Sequence, residues 1–167
     1  MKIELYRYYY EIAELLDEID AGGDETSARK KIGKIIAENN LDKTFCDLMQ
    51  KSIGVRYVVK GFHDDDLIYV NLDKSDCQIV MQSYKAWRGF DCPFRIRFEG
   101  VVDCIYKSLT ALTNEKLYCQ REDVDLLPDG NIAVSFTFSN YSGQYVPRDV
   151  RIICKDVTIT PAPEVQV

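Results

Sequence analysis

The feature that most constrains this fold is a change in hydrophobic period near Gly54. Before this glycine, apolar residues recur every three or four positions, which is typical of one face of a helix. After it, apolar and polar residues alternate, as along a strand with one buried face. The pattern predicts an α+β fold, with a helical N-terminal region at 1–54 and an antiparallel β domain at 55–167 that could form one compact unit with it.

About three helices are predicted in the first region. The first ends at the glycines of 21–23, a polar residue within 24–27 caps the second, and Asp42 caps the third, which ends at Gly54. Their apolar faces consist of Leu5, Tyr9, Ile12, Leu15, Leu16 and Ile19 in the first, Ile32, Ile35 and Ile36 in the second, and Phe45, Leu48 and Met49 in the third.

About six to eight strands are predicted after Gly54, in an antiparallel sheet or a partly rolled barrel. The first is a short strand at 56–60, and the alternating stretches 67–73 and 77–81 form a hairpin around a Lys74-Ser75 turn. The segment 101–112 fits a helix and a strand equally well. Further strands are predicted at 94–99, 132–139 and 149–160.

Composition indicates an ordinary globular protein with an acidic surface. Apolar residues make up 46% of the chain, the formal net charge is −6, and neither half of the chain is basic. Because nonspecific binding to nucleic acid depends on Lys and Arg, this charge makes nucleic acid a less favoured partner and a basic protein a more favoured one.

The cysteines show no spacing typical of a metal or redox site. Six cysteines are present, and no two are closer than twelve residues, so neither C-x₂₋₄-C nor C-x-x-C occurs. The first residues contain no apolar signal segment, and no stretch is long enough to cross a membrane. We therefore expect reduced thiols in a soluble cytoplasmic protein without a cofactor, a metal or a membrane partner.

The sole histidine, His63, lies in Gly61-Phe62-His63-Asp64-Asp65-Asp66 and is the candidate centre for catalysis. An imidazole beside carboxylates could act as an acid–base pair or bind a divalent ion. On a strand only His63 and Asp65 would share a face, so we favour a loop or strand start whose side chains bind backbone groups. No nucleotide-binding, zinc-protease or hydrolase motif occurs in the chain.

A second candidate is the locally basic and aromatic region from Tyr84 to Arg97. Tyr84, Trp87 and Arg88 lie in one stretch, and Arg95 and Arg97 follow on the outer face of a predicted strand. Trp, Tyr and Arg are enriched at protein-binding hot spots, and the same mixture can stack on bases and contact phosphates. The favoured interpretation is a hairpin loop, followed by a protein contact and then by a nucleic-acid contact.

Tyrosines at positions 6 and 8–10 surround the first turn of the first helix. Some of these rings must enter the core, and exposed ones such as Tyr8 could belong to a contact surface because tyrosine is amphipathic. The acidic residues of this helix are expected to form a solvated face.

The β half resembles a class of small, uncharacterised bacterial β-rich proteins. The resemblance covers residues 61–160 and depends on Phe62-His63-Asp64-Asp65-Asp66-Leu67-Ile68 and on Ile96-Arg97-Phe98-Glu99-Gly100-Val101. Some members of such groups look like immunity proteins, which neutralise a toxin by binding it, and the class supplies no catalytic residue to transfer.

Three functions therefore follow as expectations. The favoured one is a non-catalytic protein-binding module, in its most concrete form an immunity-type protein that covers a basic toxin. The alternatives are an enzyme that uses His63 with nearby carboxylates, and a nucleic-acid-binding module that uses the Tyr84–Arg97 region.

Overall fold

The computed structural model describes residues 3–83, 92–106, 116–141 and 148–166. A 3-10 turn at Ile3–Leu5 precedes the helices α1 (Tyr6–Asp20), α2 (Glu25–Asn39), α3 (Lys43–Lys51) and α4 (Ile53–Lys60). The strands are β1 (Asp66–Asn71), β2 (Gln78–Gln82), β3 (Phe94–Glu99), β4 (Asp103–Tyr106), β5 (Leu117–Leu126), β6 (Ile132–Asn140), β7 (Arg148–Cys154) and β8 (Asp156–Pro161).

The eight strands form one antiparallel sheet in the order β4-β7-β6-β5-β1-β2-β3-β8. The sheet is open, and it consists of two groups of four strands that meet where β1 pairs with β5. Only two residue pairs make this junction, Asp66 with Tyr118 and Leu67 with Leu117. Helix α4 contacts both β5 in the middle and β8 at one edge, so the sheet curves around this helix.

The predicted α+β class is confirmed, and so are several local elements. Asp24 and Asp42 cap α2 and α3 through side-chain hydrogen bonds to Ser27 N and to Thr44 N. The hairpin around Lys74-Ser75 forms between β1 and β2. Within the ambiguous segment 101–112, Asp103–Tyr106 is strand β4, and residues 107–112 lie outside the described residues.

The prediction of a strand at 56–60 and of a helix end at Gly54 is wrong. Ser52 caps α4 by accepting a hydrogen bond from Val55 N at 3.3 Å, and Gly54 lies within that helix. A Cβ atom on Gly54 would lie 1.8 Å from the carbonyl oxygen of Val157 on β8. The glycine therefore allows a close approach of helix and strand, and the chain changes from helix to strand only after Lys60.

The core lies between the helices and the concave face of the sheet. The alternating residues of β3 and β6 are buried, as predicted, and contacts between phenylalanine rings link the sheet to Phe62, two residues after α4. Phe62 packs on Phe94 and Phe136 with ring centroids 5.6 and 6.0 Å apart. Aromatic pairs of this kind add to the stability that their buried area provides.

An ion-pair network joins α1 to α4. Arg56 is 3% exposed, and its guanidinium donates to Asp17 at 2.9 Å and to Asp20 at 2.6 Å. Lys60 pairs with the same Asp17 at 2.8 Å and with Glu14 at 2.9 Å. Glu14 and Asp20 remain exposed, as expected for a solvated face, and together with the half-buried Asp17 they also compensate the cations buried beneath them.

All six cysteines are free thiols, and four of them are buried. Burial raises the pKa of Cys46 to about 11 and the pKa values of Cys77 and Cys154 to about 12. Within the described ranges, the four helices are all too short or too polar to span a bilayer.

Candidate functional site

The candidate site lies at the junction of the two halves of the sheet. Besides the two β1–β5 pairs, Asp64 N donates to Cys119 O at 2.9 Å, and Cys119 N donates to Asp65 O at 2.8 Å. These bonds fix the 63–65 turn against the start of β5. The end of β6 lies beside them, because Leu117 of β5 pairs with Asn140.

Two tyrosines from neighbouring strands form an aromatic pair at this junction. Tyr118 of β5 and Tyr141, directly after β6, have ring centroids 4.8 Å apart and planes inclined by 41°. Tyr141 is 58% exposed, although its ring is held by this contact and by Lys116, whose ammonium lies 5.8 Å from the ring centroid. The junction thus presents an exposed ring in a fixed orientation.

Asp66 holds this pair in place from β1. Its Oδ1 accepts the Tyr141 hydroxyl proton at 2.6 Å, and its Oδ2 lies 2.9 Å from Lys116 Nζ. Loss of hydration and the hydrogen bond to Asp66 raise the pKa of Tyr141, and the nearby Asp64 adds to this effect. The Tyr141 hydroxyl therefore remains a neutral donor at physiological pH. We name Asp66, Lys116, Tyr118 and Tyr141 the junction cluster.

His63 borders this cluster, and its surroundings are those of a surface turn. Its Nδ1–H donates to the backbone oxygen of Gln120 at 2.7 Å, its Nε2 lies 3.6 Å from Asp64 Oδ1, and 65% of its side chain is exposed. Asp65 is 1% exposed, so it does not share a solvent face with His63. His63 thus lies in a turn that precedes β1, and it binds a backbone group there.

Cys119 is the cysteine whose backbone bonds to the 63–65 turn. Its side chain is fully buried, and its single thiol proton has two acceptors within reach, Arg121 O at 3.6 Å and Glu122 Oε2 at 3.5 Å from Sγ. Burial, with Glu122 beside it, raises the pKa of Cys119 well above its ordinary value. Because the thiolate is the nucleophilic form, this cysteine is poorly suited to nucleophilic catalysis with His63.

The other predicted site residues lie on other elements. Tyr8 is half-buried on α1, where the guanidinium of Arg7 lies 4.5 Å from the centre of its ring. Arg95 and Arg97 lie on β3, which β1 and β2 separate from β5. Arg95 pairs with Glu164 at 2.5 Å, and Arg97 is exposed. Tyr84, Trp87 and Arg88 lie outside the described residues.

Sequence reasoning did not select the four residues of the junction cluster. Asp66 stands in the aspartate-rich segment that drew attention to His63, and Tyr141 follows the most regular strand. Neither feature indicates that Asp66 and Tyr141 are neighbours, because these residues come together only through the pairing of β1, β5 and β6.

The comparisons with known proteins returned no family model, no curated protein and no solved structure that matches this chain. Among the described residues, no three His, Cys, Asp or Glu side chains are grouped in a way that could hold a metal ion.

Proposed function

We propose that this chain is a non-catalytic protein-binding module, and that it neutralises a protein toxin by covering it, as immunity-type proteins do. The observation that carries the proposal is Tyr141, which is exposed and yet held by the half-buried Tyr118 ring, by Asp66 and by Lys116. Tyrosine is enriched at binding hot spots, because a ring of this size buries much area and loses little conformational entropy.

The fixed geometry lowers the cost of binding. A tyrosine already held by a neighbouring ring and a carboxylate has less side-chain freedom to lose when a partner covers it. The Tyr141 hydroxyl already donates to Asp66. A partner can therefore cover the ring without leaving a buried donor unpaired.

The charge of the chain favours a basic partner. The net charge is −6, and Asp64 adds an exposed carboxylate next to the junction cluster. Opposite charge on the partner would speed encounter, whereas the fixed rings would slow dissociation.

The test is to co-express this chain with the protein encoded by the gene directly upstream of its own gene and to measure growth of the host cells. Affinity is then measured on the purified pair. The native chain is expected to restore growth and to bind that protein. Tyr141→Ala should weaken binding about 30-fold, as expected for a hot-spot residue.

Tyr106→Ala is the matched control, because Tyr106 is 57% exposed and lies on the distant edge strand β4. This variant should change the affinity by about twofold or less, in line with a residue outside a hot spot. The proposal fails if the upstream protein is not bound, or if the two alanine variants lose affinity equally.

A further inference from the structure

A cavity of about 520 Å³ lies where the start of α1, the α2–α3 connection and the end of β5 meet. Its size lies in the range of pockets that hold a small molecule or a large side chain. Five apolar residues line most of it, namely Leu5, Tyr9, Phe45, Val124 and Leu126. The cavity is separate from the junction cluster, although strand β5 contributes to both.

The aromatic walls of this cavity are tightly packed. The Tyr9 ring meets the Phe45 ring edge to face, with centroids 5.0 Å apart and planes inclined by 88°. Tyr9, Phe45 and Val124 are all at most 5% exposed. The Tyr9 hydroxyl accepts a hydrogen bond from Asp42 N at 3.1 Å, so the ring and the α2–α3 connection are fixed to each other.

The polar part of the lining is negative. Asp42 is exposed at the rim, and its hydrogen bonds to Thr44 N and Phe45 N both use Oδ1, so Oδ2 is available to a donor. The positive end of α3 offsets about half of this charge. Asp125 also lines the wall, between Val124 and Leu126 on β5.

No lysine or arginine is among the described residues that line the cavity. The nearest basic side chain in the sequence, Lys43, is drawn to Asp47 at 3.0 Å. An apolar stem that carries a donor cation would therefore find hydrophobic walls and an acceptor at the rim.

From this arrangement we propose that the cavity receives a lysine or arginine side chain of the partner protein. The stem would pack against the half-buried Leu5 and Leu126, and the cation would lie beside Asp42. This inference rests on the proposed function for the source of the side chain, and it adds a second contact point on β5 to the junction cluster.

The cavity is tested first without the partner, by calorimetric titration of the full chain with tryptamine and with indole-3-propionate. These probes share an apolar ring and differ in the sign of their charge. Tryptamine should bind more tightly, and Asp42→Asn should weaken its binding about threefold, the scale of one partly exposed charge pair. Asparagine still caps α3, so the variant is expected to fold.

Two further variants locate the effect. Asp24→Asn makes the same change at the cap of α2, outside the cavity lining, and should leave tryptamine binding unchanged. Leu5→Trp fills the cavity from its half-buried edge and should abolish binding of the probe. Equal binding of both probes, or tryptamine binding that survives Leu5→Trp, overturns the inference.

The last measurement uses the upstream protein. Asp42→Asn should weaken its capture about threefold, by the same loss of one charge pair, and Leu5→Trp should weaken it further. Tryptamine binding with unchanged partner capture removes the partner's side chain as the occupant and leaves the proposed function standing. Failure to capture the upstream protein with any variant removes the proposed function, while the probe still reports on the cavity.

Discussion

At the scale of single residues, Arg56 is the side chain whose burial most requires compensation of its charge. A guanidinium that is 97% buried keeps its charge only if carboxylates compensate it, and Asp17 and Asp20 supply them from α1. Its Nε lacks an acceptor among the described residues, so the two pairs to Asp17 and Asp20 provide its compensation. Asp17 has a central role, because it also pairs with Lys60.

We therefore predict that Asp17→Asn lowers the free energy of unfolding by about 2 kcal/mol, since it leaves a buried cation with one charged partner. Glu18→Gln is the control, because Glu18 is the exposed neighbour on the same helix and should change stability by at most about 0.5 kcal/mol. Urea denaturation of both variants measures the difference. Equal stability of the two would show that the network contributes nothing to the fold.

At the scale of elements, the helices and hairpins that were predicted correctly are those whose signals are local. The caps Asp24 and Asp42 and the Lys74-Ser75 turn each act within a few residues of their own position. Helix α4 was missed because Val55, Val58 and Val59 have strand propensity, and because a glycine suggests a helix end. Its helical state is stabilised by packing on β5 and β8, which no local pattern reveals.

The dependence on contacts between distant segments also explains why the candidate site was not predicted from the sequence. Asp66, Tyr118 and Tyr141 belong to three segments, and only the order of strands in the sheet brings them together. The run of polar residues around His63 favoured a loop or strand start there, whereas the cluster beside it depends on non-local pairing.

Two glycine substitutions test the packing of α4. Gly54→Ala raises helix propensity, but its Cβ would meet Val157 O at 1.8 Å, so α4 and β8 must separate. We expect a loss of about 3 kcal/mol in unfolding free energy, as for an overpacked core position. The melting temperature should fall with it.

Gly33→Ala provides the matched comparison, because Gly33 lies within α2 and a Cβ there would meet no atom within 4 Å. This variant should gain about 0.5 to 1 kcal/mol from helix propensity alone. If both alanines shift the melting temperature in the same direction, the close approach of α4 to β8 is not what requires Gly54.

At the scale of the whole molecule, stability is expected to be uneven. Ala28 is the one fully buried side chain of the fifteen-residue helix α2, whereas five residues of the shorter α4 are buried. Local opening costs least where few apolar contacts are lost. The outer helix α2 should therefore open without disturbing the sheet.

Hydrogen exchange followed by mass spectrometry checks this expectation. The amides of α2 should exchange at least about tenfold faster than those of α4, the ratio that a difference of about 1.4 kcal/mol in opening free energy produces. Protection of α2 equal to that of α4 would mean that the helices open as one unit.

The contact between α4 and β8 also bears on how the chain is made. Ser52, which caps α4, donates to Asp156 Oδ1 at 2.7 Å across a separation of 104 residues, and Gly54 lies against Val157. A ribosome releases the N-terminal part of a chain first. This side of α4 therefore remains uncovered while strands β1 to β7 emerge, and only the synthesis of β8 supplies its partner.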